Sequence, residues 1–549
     1  MDEKLFGTDS ALAESYRAAG WWQSKTIAEL VTKLAAAQPN DVAYITDSSR
    51  FTWADYARVS DQLAAVLLEA GFSQRERIAI FLPDGATVHA ALVAVEKAGL
   101  IAVGIGSKAG DHEILHLLDS TGARGLITHE KLGRGRSSDN LWEKMTAACE
   151  SLSHHIVVPD FGHDKTAPVK LNGVVTSPDI SIVGAERRLG PDDLFMLNST
   201  SGTTGLPKCV MHTQNRWFYF HKLAMRSGDL RSNEVIMGAV PAPFGFGLWT
   251  AHFSPTILGC PTVVMERFDA EMALDLIERE RVTVLCCVST QFIMMLNAQE
   301  ARPRDLSSLS VMFTGGEAIP YDRAAEFEKI TGAPVLQFYG SNETGALSYT
   351  SRKDTREKRL KTAGKIISAM NVKLFDPDTG ESVSSTRFTG QPGCQGPAVC
   401  LGYWNDDAAN AKLYTRAGYM LMGDIVDIDE EGYLSVVGRT SDFIIRGGKN
   451  ISAPAVEEAV GSHPAIAMVA AVAAPDPIFG ERVCIYVVPR SGKTINLDAI
   501  TEYLGVRGIS REWYPEHMVL MDVLPCSSGG KIAKGELRED ARSRFMKKK

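Results

Sequence analysis

No apolar run in this chain is long enough to cross a bilayer, and the N-terminal stretch MDEKLFGTDSALAESYRAAG is acidic and lacks the apolar centre of a signal peptide. A cytoplasmic protein without membrane insertion is therefore expected. The most apolar segment, residues 465–474, is rich in Ala and Val and bounded by Pro464 and Pro475, which makes it a buried strand. Disulfide and zinc frameworks are missing too. The nine cysteines are odd in number, scattered, and never spaced as CxxC. Cys286 and Cys287, inside VTVLCCV, read as core. Positive charge is not in excess: a formal net charge of -8 argues against a nucleic-acid partner, whose phosphates need concentrated Lys and Arg. His154, His155 and His163 cluster, but no carboxylate or Cys lies at ligand spacing, so a metal site is not expected there.

What is present is the composition of a folded enzyme, with 45% apolar and 23% charged residues, neither disordered nor fibrous. At 549 residues the chain exceeds one hydrophobic core and implies two to four domains or subdomains. From about residue 77 to 340 short β-branched runs alternate with helical patterns, the mark of parallel α/β units. RIAIFLP is a strand, ATVHAALVAVEKAGL a helix and GLITHE a strand. The alternation restarts at LFMLN, with a helix near 214–227 and strands at VIMGAV, TVVME, VTVLCCV, VMFTGG and VLQFYG. Beyond about 365 short strands separated by Gly and Asp turns, as in VKLFDPDTG and DIDEEGYLSVVG, fit antiparallel β structure. The fold expected is α/β: a large N-terminal domain, 1–440, made of two layered α/β subdomains (about 1–190 and 191–364) and a β-rich subdomain (365–440). A small, mobile α+β C-terminal domain, 441–549, follows.

The strongest chemical signal is NSTSGTTGLPK, residues 198–208, between a predicted strand and a predicted helix. Such a loop can wrap an oligophosphate. Gly202 and Gly205 let backbone N–H groups approach closely, the hydroxyls of Thr200, Ser201, Thr203 and Thr204 donate to phosphate oxygens, and Lys208 adds a positive charge. It is not a Walker A loop, which needs Gly-Lys followed directly by Ser or Thr.

This loop resembles the phosphate-binding signature of the adenylate-forming superfamily of acyl-CoA synthetases, adenylation domains of peptide synthetases and luciferases. The resemblance runs in order over nearly the whole chain. FTGGEAIP, residues 313–320, resembles the segment beside the adenine and one wall of the acyl pocket, which implies roles for Gly315, Gly316, Glu317 and Ala318. FYGSNETG, residues 338–345, resembles the next signature: Tyr339 would stack on adenine and Glu343 would bind magnesium, a hard cation that bridges phosphates through one or two carboxylates. Asn342 stands where the family more often has Thr, and its amide can still donate to the α-phosphate. QGPAVCLGYWND, residues 395–406, resembles an architectural signature. Asp424 and Arg439 match the family's ribose-binding pair. LPCSSGGKIAKGELR, residues 524–538, implies Lys531 as the catalytic lysine, with Lys534 the neighbouring candidate.

The resemblance thus implies an AMP-forming acid-thiol ligase using ATP, magnesium and coenzyme A. An ammonium between two anions offsets their repulsion as the substrate carboxylate attacks the α-phosphorus. The C-terminal domain would then rotate about Ser441 or the adjacent Asp442, bringing Gly447 and Gly448 to the tunnel for coenzyme A. VPAPFGFGLW, residues 240–249, resembles the acyl-pocket segment. Phe244, Phe246 and Trp249 would build a flat apolar wall for an aromatic, alicyclic or short to medium aliphatic acid. Termination soon after the lysine signature, without a carrier segment, favours a free-standing acid:CoA ligase. The alternatives are a stand-alone enzyme that loads a separate carrier protein, and a catalytically silent binding or scaffold member, which retention of Lys531, Glu343 and Asp424 argues against. A homodimer is compatible with this reading. The charged segments SRKDTREKRLK (351–361) and RSRFMKKK read as solvated surface, or as contacts to the phosphates of coenzyme A.

Overall fold

The computed structural model describes residues 9–546 except 131, 133–135, 163, 200–206, 318, 378, 384–388, 440–442, 447–448 and 528–529. The chain forms two units, each drawn from separated stretches: Met1–Cys286 with Asn342–Gly345 and Gly396–Tyr414, and Cys287–Ser341 with Ala346–Gln395 and Thr415–Lys549.

In the first unit, strands Leu194–Ser199, Ile101–Gly104, Arg77–Phe81, Gly125–His129 and His154–Val158 lie side by side in that order and run parallel. Their β-branched and Leu residues are buried on both faces, as a sheet covered by helices requires. Antiparallel strands close it, Cys209–Thr213 at one end and the pair Lys170–Leu171 and Val174–Val175 at the other. A second parallel group holds Val42–Ile45, Thr262–Val264, Ile236–Gly238 and Val284–Cys286. The helix Ala86–Lys97 is apolar nearly all round because every residue but Thr87 is buried, even at its charged end. There Lys97 donates to Asp61 at 2.6 Å and Ser60 at 3.1 Å, and Glu96 accepts from the Ala28 N–H.

Asp84, in the turn before that helix, is buried, and the backbone N–H groups of Gly85 and Ala242 only partly offset the cost of ionising it there. Burial pushes its carboxyl up to about 8, so the native state holds a proton that the unfolded chain releases near its ordinary value. The stability this group contributes is full below pH 4 and is lost as pH rises towards 8. Asp84→Asn keeps an acceptor oxygen and removes the titration. Thermal unfolding of the variant, followed from pH 5 to 8, is expected to depend less on pH than that of the wild type. An unchanged slope would show that Asp84 does not carry this proton.

In the second unit, Val311–Gly315 and Val335–Ser341 pair in parallel. The turn-rich region forms the expected antiparallel sheet, in the order Lys373–Phe375, Thr389–Cys394, Asp424–Ile428, Leu434–Arg439. Farther along, Ile466–Asp476, the strand predicted from the Ala- and Val-rich run, pairs with Gly480–Pro489 and is covered by the helices Ala453–Gly461 and Lys534–Phe545. The parallel strand His517–Leu520 and the last helix were not evident in the sequence pattern: the helix has few apolar residues and buries only Leu537 and Ala541. Cys286 and Cys287 are both buried. Among the described residues no helix is long and apolar enough to cross a membrane, and no cluster of His, Cys, Asp and Glu suits a metal ion. His155 is instead buried against Trp142, with Thr128 and Ser138 hydroxyls at 2.9 and 3.2 Å from its Nε2. His163 lies outside the described residues.

Candidate active site

In the first unit, the strand Leu194–Ser199 leads into the Ser/Thr/Gly loop and Lys208 leads out of it. Thr200, Ser201, Gly202, Thr203, Thr204 and Gly205 lie outside the described residues. The Lys208 ammonium sits 4.8 Å from the centre of the Tyr403 ring. The Tyr403 hydroxyl donates to Glu343 Oε1 at 2.8 Å, and burial together with the Glu343 charge pushes its phenol upward. Tyr403 is held by its own backbone, which bridges to Val210 on the strand after Lys208. The Glu343 carbonyl accepts from the Cys400 N–H at 2.8 Å, and the Asn342 amide donates to Asn198 Oδ1 at 2.6 Å.

Phe244 begins a short helical turn, Gly245–Gly247, that continues as a π-helical turn, Leu248–Phe253. Phe244 and Phe246 are half-buried, whereas Trp249 is 1% exposed and meets Phe246 edge-on at 5.4 Å. Trp249 thus packs in the core behind Phe246. Gly247 is required by this turn, because a Cβ there would lie 2.3 Å from the Val240 carbonyl oxygen.

In the second unit, Val311–Gly315 ends at the Gly-Gly-Glu turn. A Cβ on Gly315 would meet the Phe338 carbonyl oxygen at 2.5 Å, and one on Gly316, whose φ is +83°, would meet Lys531 Nζ at 2.5 Å. The glycine therefore makes room for the lysine. Glu317 is half-buried, accepts from the backbone N–H groups of Ser289 and Thr290 at the start of the helix Ser289–Ala301, and feels the Lys531 charge. Burial raises its carboxyl and Lys531 opposes that rise. Lys534 is engaged elsewhere, 2.7 Å from Glu457. The Tyr339 hydroxyl donates to Asp424 Oδ2 at 2.8 Å, and Asp424, itself buried, pairs in register with Arg439. Ala318, Ser441, Asp442, Gly447 and Gly448 lie outside the described residues. In the charged segment 351–361, Arg356 and Arg359 pair with Glu328, Lys358 with Asp429 and Glu431, and Lys361 with Glu357.

Chemically, the first unit supplies a carboxylate oriented by a phenol beside an ammonium, a donor set that fits a hard divalent cation bridging phosphates. The second supplies a lysine pressed against a glycine turn and a carboxylate held by a tyrosine. Tyr403 was not evident from sequence as a partner of Glu343, because its motif reads as architecture.

Comparison with known proteins agrees with this chemistry. The family model for AMP-binding enzymes matches residues 31–404, and that for the AMP-binding enzyme C-terminal domain matches residues 455–531. The chain is 28% identical to a medium-chain fatty-acid–CoA ligase of Escherichia coli (strain K12), covering 97% of this chain and 93% of the relative. It is 28% identical to a 2,3-dihydroxybenzoate-AMP ligase of Bacillus subtilis (strain 168), covering 96% of each. The crystal structure of the anthranilate CoA ligase AuaEII in complex with anthranoyl-AMP shares the fold, with a TM-score of 0.83 at 21% identity over 95% of this chain and 98% of that one. With one model spanning most of its length and a second matching its C-terminal part, the chain belongs to the AMP-binding enzymes, the adenylate-forming superfamily of ATP-dependent ligases.

Proposed function

We propose that this enzyme is an AMP-forming acid:CoA ligase acting on a small aromatic, alicyclic or short to medium-chain carboxylic acid. The observation that carries the proposal is the seat of Lys531, beside Gly316 and in the field of the half-buried Glu317. An ammonium there serves a reaction in which two anions must meet. The substrate carboxylate oxygen bonds to the α-phosphorus as the bond to pyrophosphate breaks. A thiol then attacks the acyl carbon, AMP leaves, and the thiol proton is released. The protein's part is positioning and charge neutralisation. Magnesium, held by Glu343, would neutralise phosphate charge. Tyr339 and Asp424 would hold the adenosine, Asp424 accepting from ribose hydroxyls, with Arg439, the Ser/Thr/Gly loop, Lys208, Asn342, Glu317 and Ala318 completing the nucleotide site. The division at residue 441, with Ser441 or Asp442 as the hinge and Gly447 and Gly448 lining the thiol tunnel, belongs to the same proposal.

Coenzyme A as acceptor is favoured by the likeness to the fatty-acid–CoA ligase; the likeness to the 2,3-dihydroxybenzoate-AMP ligase supports a second reading, an enzyme that loads a separate carrier. Pyrophosphate release measured with benzoate-type, cyclohexane-type, short-chain and medium-chain acids, each with and without coenzyme A, separates them. A thioester of coenzyme A is the expected product; adenylate that accumulates unchanged in its presence favours the carrier.

Phe244 and Phe246 present half-buried rings, which suits an apolar acyl group. Phe244→Ala is expected to change the preference among acids by roughly tenfold or more, the scale of a single methylene in an apolar pocket. The Michaelis constant for ATP is expected to stay within a few-fold, and a defect on the ATP side alone would remove Phe244 from the pocket.

A further inference from the structure

A buried arginine runs a line of hydrogen bonds through the first unit that none of the roles above requires. Arg216 is 2% exposed, on the helix Gln214–Gly228, four residues after His212 at the end of the preceding strand. A guanidinium stays charged and only donates, so its burial demands acceptors on every side. Nη2 finds them in the turn that carries Asn342 and Glu343, donating to the carbonyls of Asn342 at 2.9 Å and Glu343 at 3.2 Å, and Nε donates to the carbonyl of Ala398, in the segment beside that turn, at 2.8 Å. Its Nη1 lies 2.6 Å from His212 Nδ1.

That last contact fixes the imidazole. Facing a pure donor, Nδ1 must carry the lone pair, which puts the proton on Nε2, and Nε2 lies 2.7 Å from Asn198 Oδ1. The same oxygen accepts from Asn342 Nδ2 at 2.6 Å. With its oxygen committed twice, Asn198 turns its own Nδ2 to the Pro243 carbonyl at 3.1 Å and to Asn342 Oδ1 at 3.4 Å. Asn198 and His212 are 1% and 0% exposed, so water does not compete for these bonds. One permanent cation thereby sets the direction of every donor and acceptor from Arg216 to the residue just before Phe244.

We propose that Arg216, His212 and Asn198 form a relay that fixes the Asn342–Glu343 turn and ties it to the acyl segment at Pro243, with Arg216 and His212 as positioning residues for adenylate formation. This rests on the ligase reading of the chain. The relay orients Asn342 and Glu343 before any nucleotide arrives, and it joins the turn proposed to hold phosphate and magnesium to the segment proposed to hold the acid. A displaced reacting group costs about 10²-fold per ångström, so loosening the turn lowers the rate without removing a group that touches substrate.

The test has two arms. Protein labelled with ¹⁵N at histidine, with the His212 resonance assigned by its loss in His212→Gln, is expected to show His212 as the neutral Nε2–H tautomer at pH 7.5. A Nδ1–H tautomer or a doubly protonated ring overturns the relay. In the kinetic arm, His212→Leu is expected to lower the maximal rate of acid-dependent pyrophosphate release by about 10–100-fold. His212→Gln, whose amide can accept from Arg216 and donate to Asn198, is expected to recover most of that loss. Equal losses in the two variants, or none in the leucine variant, would refute positioning. The resonance measurement uses the unmodified protein and decides the relay even where the leucine variant fails to fold. A wild type that releases no pyrophosphate with any acid would refute the ligase reading instead, with the tautomer result still standing for the relay.

Discussion

Lys531→Ala is expected to lower acid-dependent exchange of labelled pyrophosphate into ATP by roughly 10²–10³-fold, the scale of losing one preorganised group aimed at developing charge. Lys531 reaches its place because Gly316 has no Cβ: one built there would lie 2.5 Å from Nζ and 2.9 Å from Cε. The ammonium also faces Glu317, which is half-buried and accepts from the N–H groups of Ser289 and Thr290. Truncating the lysine removes the charge between carboxylate and phosphate and leaves Glu317 with less to hold its ionised form. Arginine should not rescue it, since the planar guanidinium is broader than the ammonium that Gly316 admits. Thioester formation from a supplied acyl-adenylate should be comparatively intact, because the attack on phosphorus is already complete. Equal loss of both half-reactions would contradict the proposal that the lysine serves only the first.

The elements that could be read along the chain are those with a local pattern. The parallel strands at 77–81 and 125–129 announce themselves by β-branched residues, that at 194–199 by a short apolar run, and the helix Gln214–Gly228 by its length. Glu343 and Asp424 could be singled out because their motifs are contiguous. Their partners could not. Tyr403 is 60 residues from Glu343, and Asn198 is 144 residues from Asn342. Arg216 bonds carbonyls, which carry no residue identity to be read. The three aromatics 244, 246 and 249 look alike in sequence, yet Trp249 is fully buried and the two phenylalanines are not; alternation of apolar and small residues does not separate a half-buried ring from one packed in the core. Lys531 and Lys534 are likewise equivalent in composition and are told apart by Glu457, which pairs with Lys534.

Glu343→Gln is expected to be nearly as damaging as the loss of Lys531, and for a different reason. Glutamine keeps the shape of the side chain and an oxygen to accept from Tyr403, so the hydrogen bond of 2.8 Å and the fold around it should survive. What it lacks is the charge. A hard divalent cation bridging phosphates is held by one or two carboxylates, and an amide oxygen is a much weaker ligand for it. Pyrophosphate release at fixed magnesium should fall by roughly 10²-fold, the scale of removing one electrostatic partner of the reacting phosphate. The magnesium concentration for half-maximal rate should rise, and excess magnesium should restore part of the loss. Tyr403→Phe keeps the carboxylate and removes only its orienting donor, a change in the outer shell that typically costs 10-fold or more in affinity, so its magnesium curve should shift in the same direction by less. A Glu343→Gln enzyme whose magnesium curve overlays that of the wild type would take this carboxylate out of the metal site, and with it the reason for the tyrosine beside it.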